Sequence, residues 1–484
     1  MTIHRTEGRP RVLILGGGPA GLGAAHWLAR RGFAPTVVEA QDRVGGNAGS
    51  FELGGLRVDY GSHRLHPATD PEILDELRGL LGGALLERPR HGRILLGGRL
   101  IHFPLRPLDL ALHAPPSFVA GVAWDAVRKL LPGRAAGPTA SEGGETFASV
   151  LLRGLGPTVC RQFYFPYARK IWGLDPEEIS PAQARRRVSA GSLGQLVRRL
   201  VPGARGGSGR TPRGTFFYPR DGYGQISEAL AESAGANGGR ILLGSRVRRV
   251  ATGTATFAVE VDGPEGARTL EAEHVWSTIP VGLLARMLDP EPPPEVLHAA
   301  EALEQRAMLL VYLVLEQDRY TEYDAHYFPS LDVPMTRLSE PKNYSGRRDP
   351  RGRTVLCAEI PCAKEDPAWS ADARTLGRLV EEGLARAGLP APGGVLDVAV
   401  RRLPSAYPLY RIGWERRFET LDGWLSAVPG LLTFGRQGLY AHDNTHHALF
   451  MARAAVRCLD DDGRLDARRW AAYREVFAGH VVED

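Results

Sequence analysis

Val12-Leu-Ile-Leu-Gly-Gly-Gly-Pro-Ala-Gly-Leu-Gly-Ala-Ala25 decides the fold of this chain. Val12 to Leu15 is an apolar run short enough for a buried strand, and Leu22 to Arg31 has helical character. Between them Gly16, Gly18 and Gly21 form a G-x-G-x-x-G set. Gly16 permits the tight strand-to-helix turn, Gly18 lets the backbone approach a pyrophosphate, and Gly21 lets helix and strand pack closely. The helix N-terminus then offers free N–H groups and a positive dipole end to phosphate. A second apolar piece, Thr36-Val-Val38, ends in Glu39, where a carboxylate can accept from ribose hydroxyls. A glycine-rich turn that binds nothing accounts for the triplet alone. It does not account for the strand, helix, strand and terminal Glu around it.

The chain has 484 residues, which predicts two or three domains with ample material for a core. Hydrophobic residues make up 43% and charged residues 24%, the balance of an ordinary globular protein. The net charge is +5, yet the arginines are scattered, so no nucleic-acid surface is expected. Cys160, Cys357, Cys362 and Cys458 form no C-x-x-C pair. Reduced thiols in a cytoplasmic protein are the expectation, with a redox pair of Cys357 and Cys362 as the alternative. The short polar stretch before Val12 leaves no room for a secretory signal, and no run reaches the ~18 apolar residues of a transmembrane segment. Residues 108–131 are fairly apolar. They are expected to pack on their own domain, with a membrane or partner contact as the alternative.

Outward from the first unit, Phe51–Val58 and Ile94–Phe103 read as hairpins and Pro71–Leu81 as a helix. Residues 104–200 look helical, broken at Gly133–Gly144. Val201–Gly214 reads as either a mobile lid or a disordered surface loop. Strands and turns return at Ile241–Leu243, Val247–Val250 and His274–Pro280, and again at Leu431–Gly438, before helices over Asn444–Leu459 and Arg468–His480. The predicted fold is α/β: a Rossmann-like nucleotide domain interleaved with a mixed α+β substrate domain. The expected division gives residues 1–80, 215–300 and 420–465 to the nucleotide domain. Residues 81–214 form a largely helical substrate or cap domain, 301–419 a sheet-containing substrate domain, and 466–484 a C-terminal helix. The ligand is expected in the crevice outside the carboxyl ends of the parallel strands.

Glu39-Ala-Gln-Asp-Arg-Val-Gly-Gly-Asn47 resembles the second nucleotide contact of the flavin amine oxidase and protoporphyrinogen oxidase superfamily, which includes the UDP-galactopyranose mutases. Its glycine pair, Gly45-Gly46, with Arg43 and Asn47 beside it, brings more backbone N–H groups to the same cofactor. The resemblance implies FAD. Tyr60-Gly-Ser-His-Arg-Leu-His66 is similar to the segment passing the isoalloxazine ring, with His63 either there or satisfied in the core. Gly244-Ser-Arg-Val247 resembles the piece whose valine backbone meets the adenine, and Ser277-Thr-Ile-Pro280 the crossover back to the flavin domain. Gly435-Arg436-Gln-Gly438, with Tyr440 and Asp443-Asn444 after it, resembles the C-terminal flavin motif. There the helix beginning near Asn444 faces the flavin, or Asn444 is simply its cap.

Pro166-Tyr-Ala-Arg-Lys-Ile-Trp-Gly-Leu-Asp-Pro176 looks similar to the mutase stretch that lines a nucleotide-sugar pocket. The resemblance implies a substrate set of Tyr167, Trp172, Arg187, Arg436 and Tyr440, with Tyr407 and Tyr410 either on the opposite wall or in the core. The chain departs from the mutases at Ser189-Ala-Gly191, where a second diphosphate arginine is expected. Two chemistries follow. In an FAD-dependent oxidoreductase acting on a small polar, sugar-like metabolite, His63, Lys170, Arg337 and Tyr407 are the candidates near the ring. Lys170 is either a desolvated base or a surface ion pair, and Arg337 either grips a polar substrate group or makes a structural ion pair. In the alternative, a non-redox mutase, the same pocket holds a nucleotide sugar. No metal is expected: only His442 and His446 share a helical face, and no carboxylate or cysteine completes their set.

Overall fold

A computed structural model describes residues 9–130, 144–187, 214–391 and 394–482. The predicted features at Gly133–Gly144, Ser189–Gly191 and Val201–Gly214 lie wholly or almost wholly outside the described residues. The glycine stretch sits between the strand Val12–Leu15 and the helix Pro19–Arg30. That strand is central in a five-stranded sheet, in the order Leu431–Thr433, His274–Ser277, Val12–Leu15, Thr36–Val38, Arg240–Leu242. All four pairings are parallel.

Both faces of this sheet are covered, which is why its strands are apolar without alternation. Val12 and Ile14 point into one core with Leu22, Leu28, Leu230, Leu449 and Trp276. These include residues of the helices Pro19–Arg30, Gln225–Ala236 and Thr445–Cys458. Leu13 and Leu15 point into a second core with Val250, Val259, Leu421 and Leu425, against a four-stranded sheet and the helix Trp414–Ser426. That sheet runs Gly266–Ala272, Phe257–Gly263, Arg246–Thr252, Leu288–Asp289, antiparallel except for the last pair, which is parallel.

A seven-stranded sheet forms the rest of the frame, in the order Val395–Pro408, Gln305–Leu315, Thr354–Cys362, Arg337–Ser339, Ala325–Tyr327, Gly92–Leu96, Arg99–Phe103. The strand Gln305–Leu315 alternates: Ala307, Leu309, Val311 and Leu313 face a core shared with Leu376, Val380 and Leu384 of the helix Ala373–Arg386. Met308, Leu310, Tyr312 and Val314 face Leu56 and Val58 on the other side. The hairpin expected at Ile94–Phe103 is present, as the strands Gly92–Leu96 and Arg99–Phe103. It completes the sheet of the later segment by a parallel pairing of Arg93 and Ile94 with His326 and Tyr327. Sequence spacing cannot reveal a partner more than two hundred residues away.

The four cysteines are free and buried, and Cys357 and Cys362 are no redox pair. Five positions apart on one strand, they face opposite cores. Burial pushes both thiols up, Cys362 to about 11. No helix among the described residues is long and apolar enough to cross a membrane.

Candidate active site

The glycine turn has the geometry its sequence requires. Gly16 lies at φ +104°, and a Cβ there would sit 2.6 Å from Thr278 Oγ1. A Cβ on Gly21 would be driven into the Gly16 carbonyl oxygen. Gly18 differs: a Cβ would meet no atom within 4 Å. It borders open space at the N-terminus of Pro19–Arg30, as the approach of a pyrophosphate demands.

The second glycine pair is fastened to the first. Gly45 N–H donates to Gly17 O at 2.7 Å, and a Cβ on Gly46 would stand 3.5 Å from Gly18 Cα. Glu39 accepts from Gly17 N–H at 2.7 Å and from Gln41 N–H at 2.8 Å, one bond per oxygen. A carboxylate has about four acceptor sites, so hydroxyls can still be bound. Ser245 N–H donates to Glu39 O at 2.8 Å, bringing the start of the Val247 strand beside it. Arg43 lies over the Tyr60 ring at 3.6 Å and donates to Gly46 O at 3.0 Å, so it braces this turn. Asn47 Nδ2 reaches Ser405 O at 3.1 Å, tying the turn to the large sheet.

The C-terminal motif closes on the same place. A Cβ on Gly435 would lie 2.8 Å from Ala20 Cβ, and Thr278 N–H donates to Leu15 O at 2.9 Å. Asn444 caps Thr445–Cys458 in a reciprocal box with His447. Beside that N-terminus, Asp443 Oδ1 and His446 Nδ1 are buried without a protein hydrogen bond. The open side of Gly18, the adjoined glycine pairs and these two orphaned polar atoms fit an elongated dinucleotide lying from the first turn to this helix.

On the substrate side, Tyr407 stacks on His442 with ring centroids 5.5 Å apart. Trp172 meets His442 edge-on at 6.3 Å. Arg436 lies 5.0 Å over the Tyr407 ring and donates to Ala406 O at 2.6 Å. Tyr167 is half-buried and stacks on Phe163. His63 stacks on Tyr223 at 5.3 Å, with Nε2 2.9 Å from Tyr60 O. Burial holds its pKa below the ordinary histidine value, against the attraction of Asp59. The Arg187 side chain lies outside the described residues.

Three expected roles are corrected. Lys170 is no surface ion pair: buried, it donates to Phe328 O at 2.5 Å and Ser330 O at 2.6 Å. Burial pushes its ammonium down to about 7. Arg337 makes the structural ion pair, donating through Nε at 3.0 Å and Nη2 at 2.8 Å to the two oxygens of Glu359. Tyr440 is 1% exposed, and its hydroxyl is spent on Leu409 N–H at 3.1 Å and on backbone carbonyls, so it braces rather than binds. Tyr410 is core, stacked on Trp414 at 3.9 Å.

Sequence reasoning missed two features here. Asp59, 1% exposed, accepts from Ser50 Oγ at 2.6 Å, Tyr218 hydroxyl at 2.6 Å and Tyr223 N–H at 2.8 Å beneath His63. Arg306 pairs with Tyr407 across the sheet, and its guanidinium lies 2.7 Å from where a Cβ on Gly173 would stand, one residue past Trp172. Burial lowers its pKa. The set that His442 and His446 lacked forms around their neighbour: Asp443, His447 and His480 offer atoms within 4.8 Å of one another.

A family model described as flavin containing amine oxidoreductase matches residues 19–448, a span that includes nearly all of these segments. The chain belongs to that family. Its cofactor is FAD. The chain is 31% identical over 293 residues to polyamine oxidase 1 of Oryza sativa subsp. japonica, covering 58% of this chain and 54% of that protein. It is 27% identical over 334 residues to human protoporphyrinogen oxidase, covering 62% of this chain and 66% of that protein. The chain thus aligns with less than two thirds of either relative. The fold matches reduced UDP-galactopyranose mutase at a TM-score of 0.77 and 22% identity, covering 92% of this chain and 93% of the mutase. It matches putrescine oxidase bound to putrescine at 0.66 and 18%, covering 93% and 98%.

Proposed function

We propose that the chain is an FAD-dependent oxidoreductase that oxidises a C–H next to an amine or alcohol, or desaturates a chain, in a small polar, sugar-like metabolite. One observation carries this reading: the family match runs from the first glycine helix to the C-terminal flavin helix. FAD, when bound, supplies the hydride acceptor. The N-terminal end of Pro19–Arg30 and Gly45-Gly46 would hold the pyrophosphate, Glu39 the ribose, and the N-terminus of Thr445–Cys458 the negative end of the reduced ring. Tyr407, His442 and Trp172 offer aromatic faces, and Arg436 and Arg306 offer cations. This mixture suits a polar ring better than an alkyl chain.

A second reading, a non-redox isomerase of a nucleotide sugar, is favoured by the Trp172 stretch and Gly435-Arg436, with Arg306 as a second cation. One experiment separates them. The purified flavoprotein is titrated anaerobically with amines, amino sugars and glycosides while flavin absorbance is followed. Bleaching by any of them supports oxidation. A protein that binds no flavin overturns both readings. Thermal protection by UDP, with turnover only after prior reduction and no net oxidation, replaces the first reading with the second.

A further inference from the structure

The helices Pro107–His113 and Pro116–Leu130 have an outer face unlike that of an ordinary surface helix. Their inner face is spent on the fold: Ala114 and Phe118 are buried against Ile94, Ile101 and Tyr327. Turned outward are Leu108 at 76% exposure, Leu112 at 72%, Trp124 at 61% and Val127 at 48%, with Leu105 at 43% just before them. Ala111, Pro116, Ala120 and Ala123 are exposed between these residues. A surface helix normally carries charge there. From Leu108 to Val127 no exposed position is an Asp, Glu, Lys or Arg.

The charges sit at the borders and have one sign. Arg99 and Arg106 are exposed before the stretch and Arg128 after it. Neither of the two carboxylates within it is exposed: Asp109 is half-buried and Asp125 buried. Asp109 accepts from His102 N–H at 2.7 Å, and Asp125, 6% exposed, accepts from Thr158 N–H at 2.8 Å. Leucines and a tryptophan that stand outward from helix surfaces, bracketed by arginines and free of exposed acids, match the chemistry of an anionic bilayer interface. A fluid surface accepts protruding side chains without a preformed groove.

We propose that this face docks the protein flat on a membrane surface bearing anionic headgroups, with Leu108, Leu112 and Trp124 entering the interface and Arg106 and Arg128 meeting the headgroups. The contact is peripheral and independent of the oxidoreductase reading.

The flavin-loaded full chain is sedimented with vesicles of phosphatidylcholine alone and of phosphatidylcholine with phosphatidylglycerol. Binding to the anionic vesicles is expected, at least tenfold weaker to the neutral ones. The Leu108→Glu/Leu112→Glu/Trp124→Glu variant, with flavin content and Tm as controls, should lose it. Arg106→Gln/Arg128→Gln, which leaves the apolar face intact, should keep its fold and bind about fivefold more weakly per arginine removed. No sedimentation with either vesicle overturns the proposal, as does binding that neither variant weakens. Self-association of the unaltered chain that the triple variant abolishes, without vesicle binding, assigns the face to a second copy and also overturns it.

Discussion

Gly18 and Gly21 stand three residues apart and have opposite tasks. Gly21 serves the fold, since any Cβ there collides with the Gly16 carbonyl; Gly18 faces open space. Gly21→Ala should therefore destabilise the protein by about 2 kcal/mol or more. Gly18→Ala should leave the unfolding free energy of the flavin-free protein within about 0.5 kcal/mol while sharply lowering flavin uptake. Denaturant melts with and without FAD, read beside flavin absorbance, separate the two. Glu359 gives a second contrast. It is 3% exposed, pairs with Arg337 and accepts from Ser62 N–H at 2.7 Å. Glu359→Gln leaves a buried guanidinium without its countercharge and should cost about 3 kcal/mol. Adding Arg337→Met removes the stranded charge, while the new amide's carbonyl oxygen can still accept from Ser62 N–H. The double variant should recover more than half of that loss in urea unfolding.

Among the elements, the helix Thr445–Cys458 carries the clearest pH dependence. His446 and His447 stand in its first turn, close to His66 and His480. Burial and neighbouring histidines hold them far below the ordinary value of 6.5, His446 at about 3 and His447 at about 2. The folded state keeps both rings neutral, whereas the unfolded chain protonates them near 6.5. Their contribution is undiminished above that pH and is lost as the pH falls below it, with a slope of up to about 1.4 kcal/mol per pH unit for each ring. Denaturant unfolding at pH 7.5 and pH 5 should show this loss, and His446→Leu should flatten the slope by one ring's share. The helix itself was legible in the sequence from its apolar spacing and its cap. Its histidine cluster was not, because His66 and His480 reach it from distant parts of the chain.

At the scale of the whole molecule, the flavin segments lie on stretches as far apart as Gly16 and Asn444, joined by contacts such as Gly45 to Gly17 and Gly435 to Ala20. A ligand touching all of them stabilises the assembled state as a unit. Adding FAD to the flavin-free protein at about a hundred times its Kd should raise the unfolding free energy by about 2.7 kcal/mol in a single transition. Stabilisation of one transition among several would mean that the segments do not fold together around the cofactor.

The sequence by itself determined the glycine turn, the acid at the end of the second strand, the second glycine pair and the boundaries of most elements. Each is a local requirement of backbone geometry or periodicity, carried by residues within a few positions of one another. Tertiary structure alone decided what the long polar side chains do. Lys170 went to two carbonyls, Arg337 to Glu359, Tyr440 to the backbone at Leu409, and Arg306 came beside Gly173 and Tyr407. It also decided that Leu108, Leu112 and Trp124 stand outward from their helices. A buried charge takes whichever partner the folded chain brings within about 3 Å, and that partner is a property of the packing rather than of the neighbouring sequence.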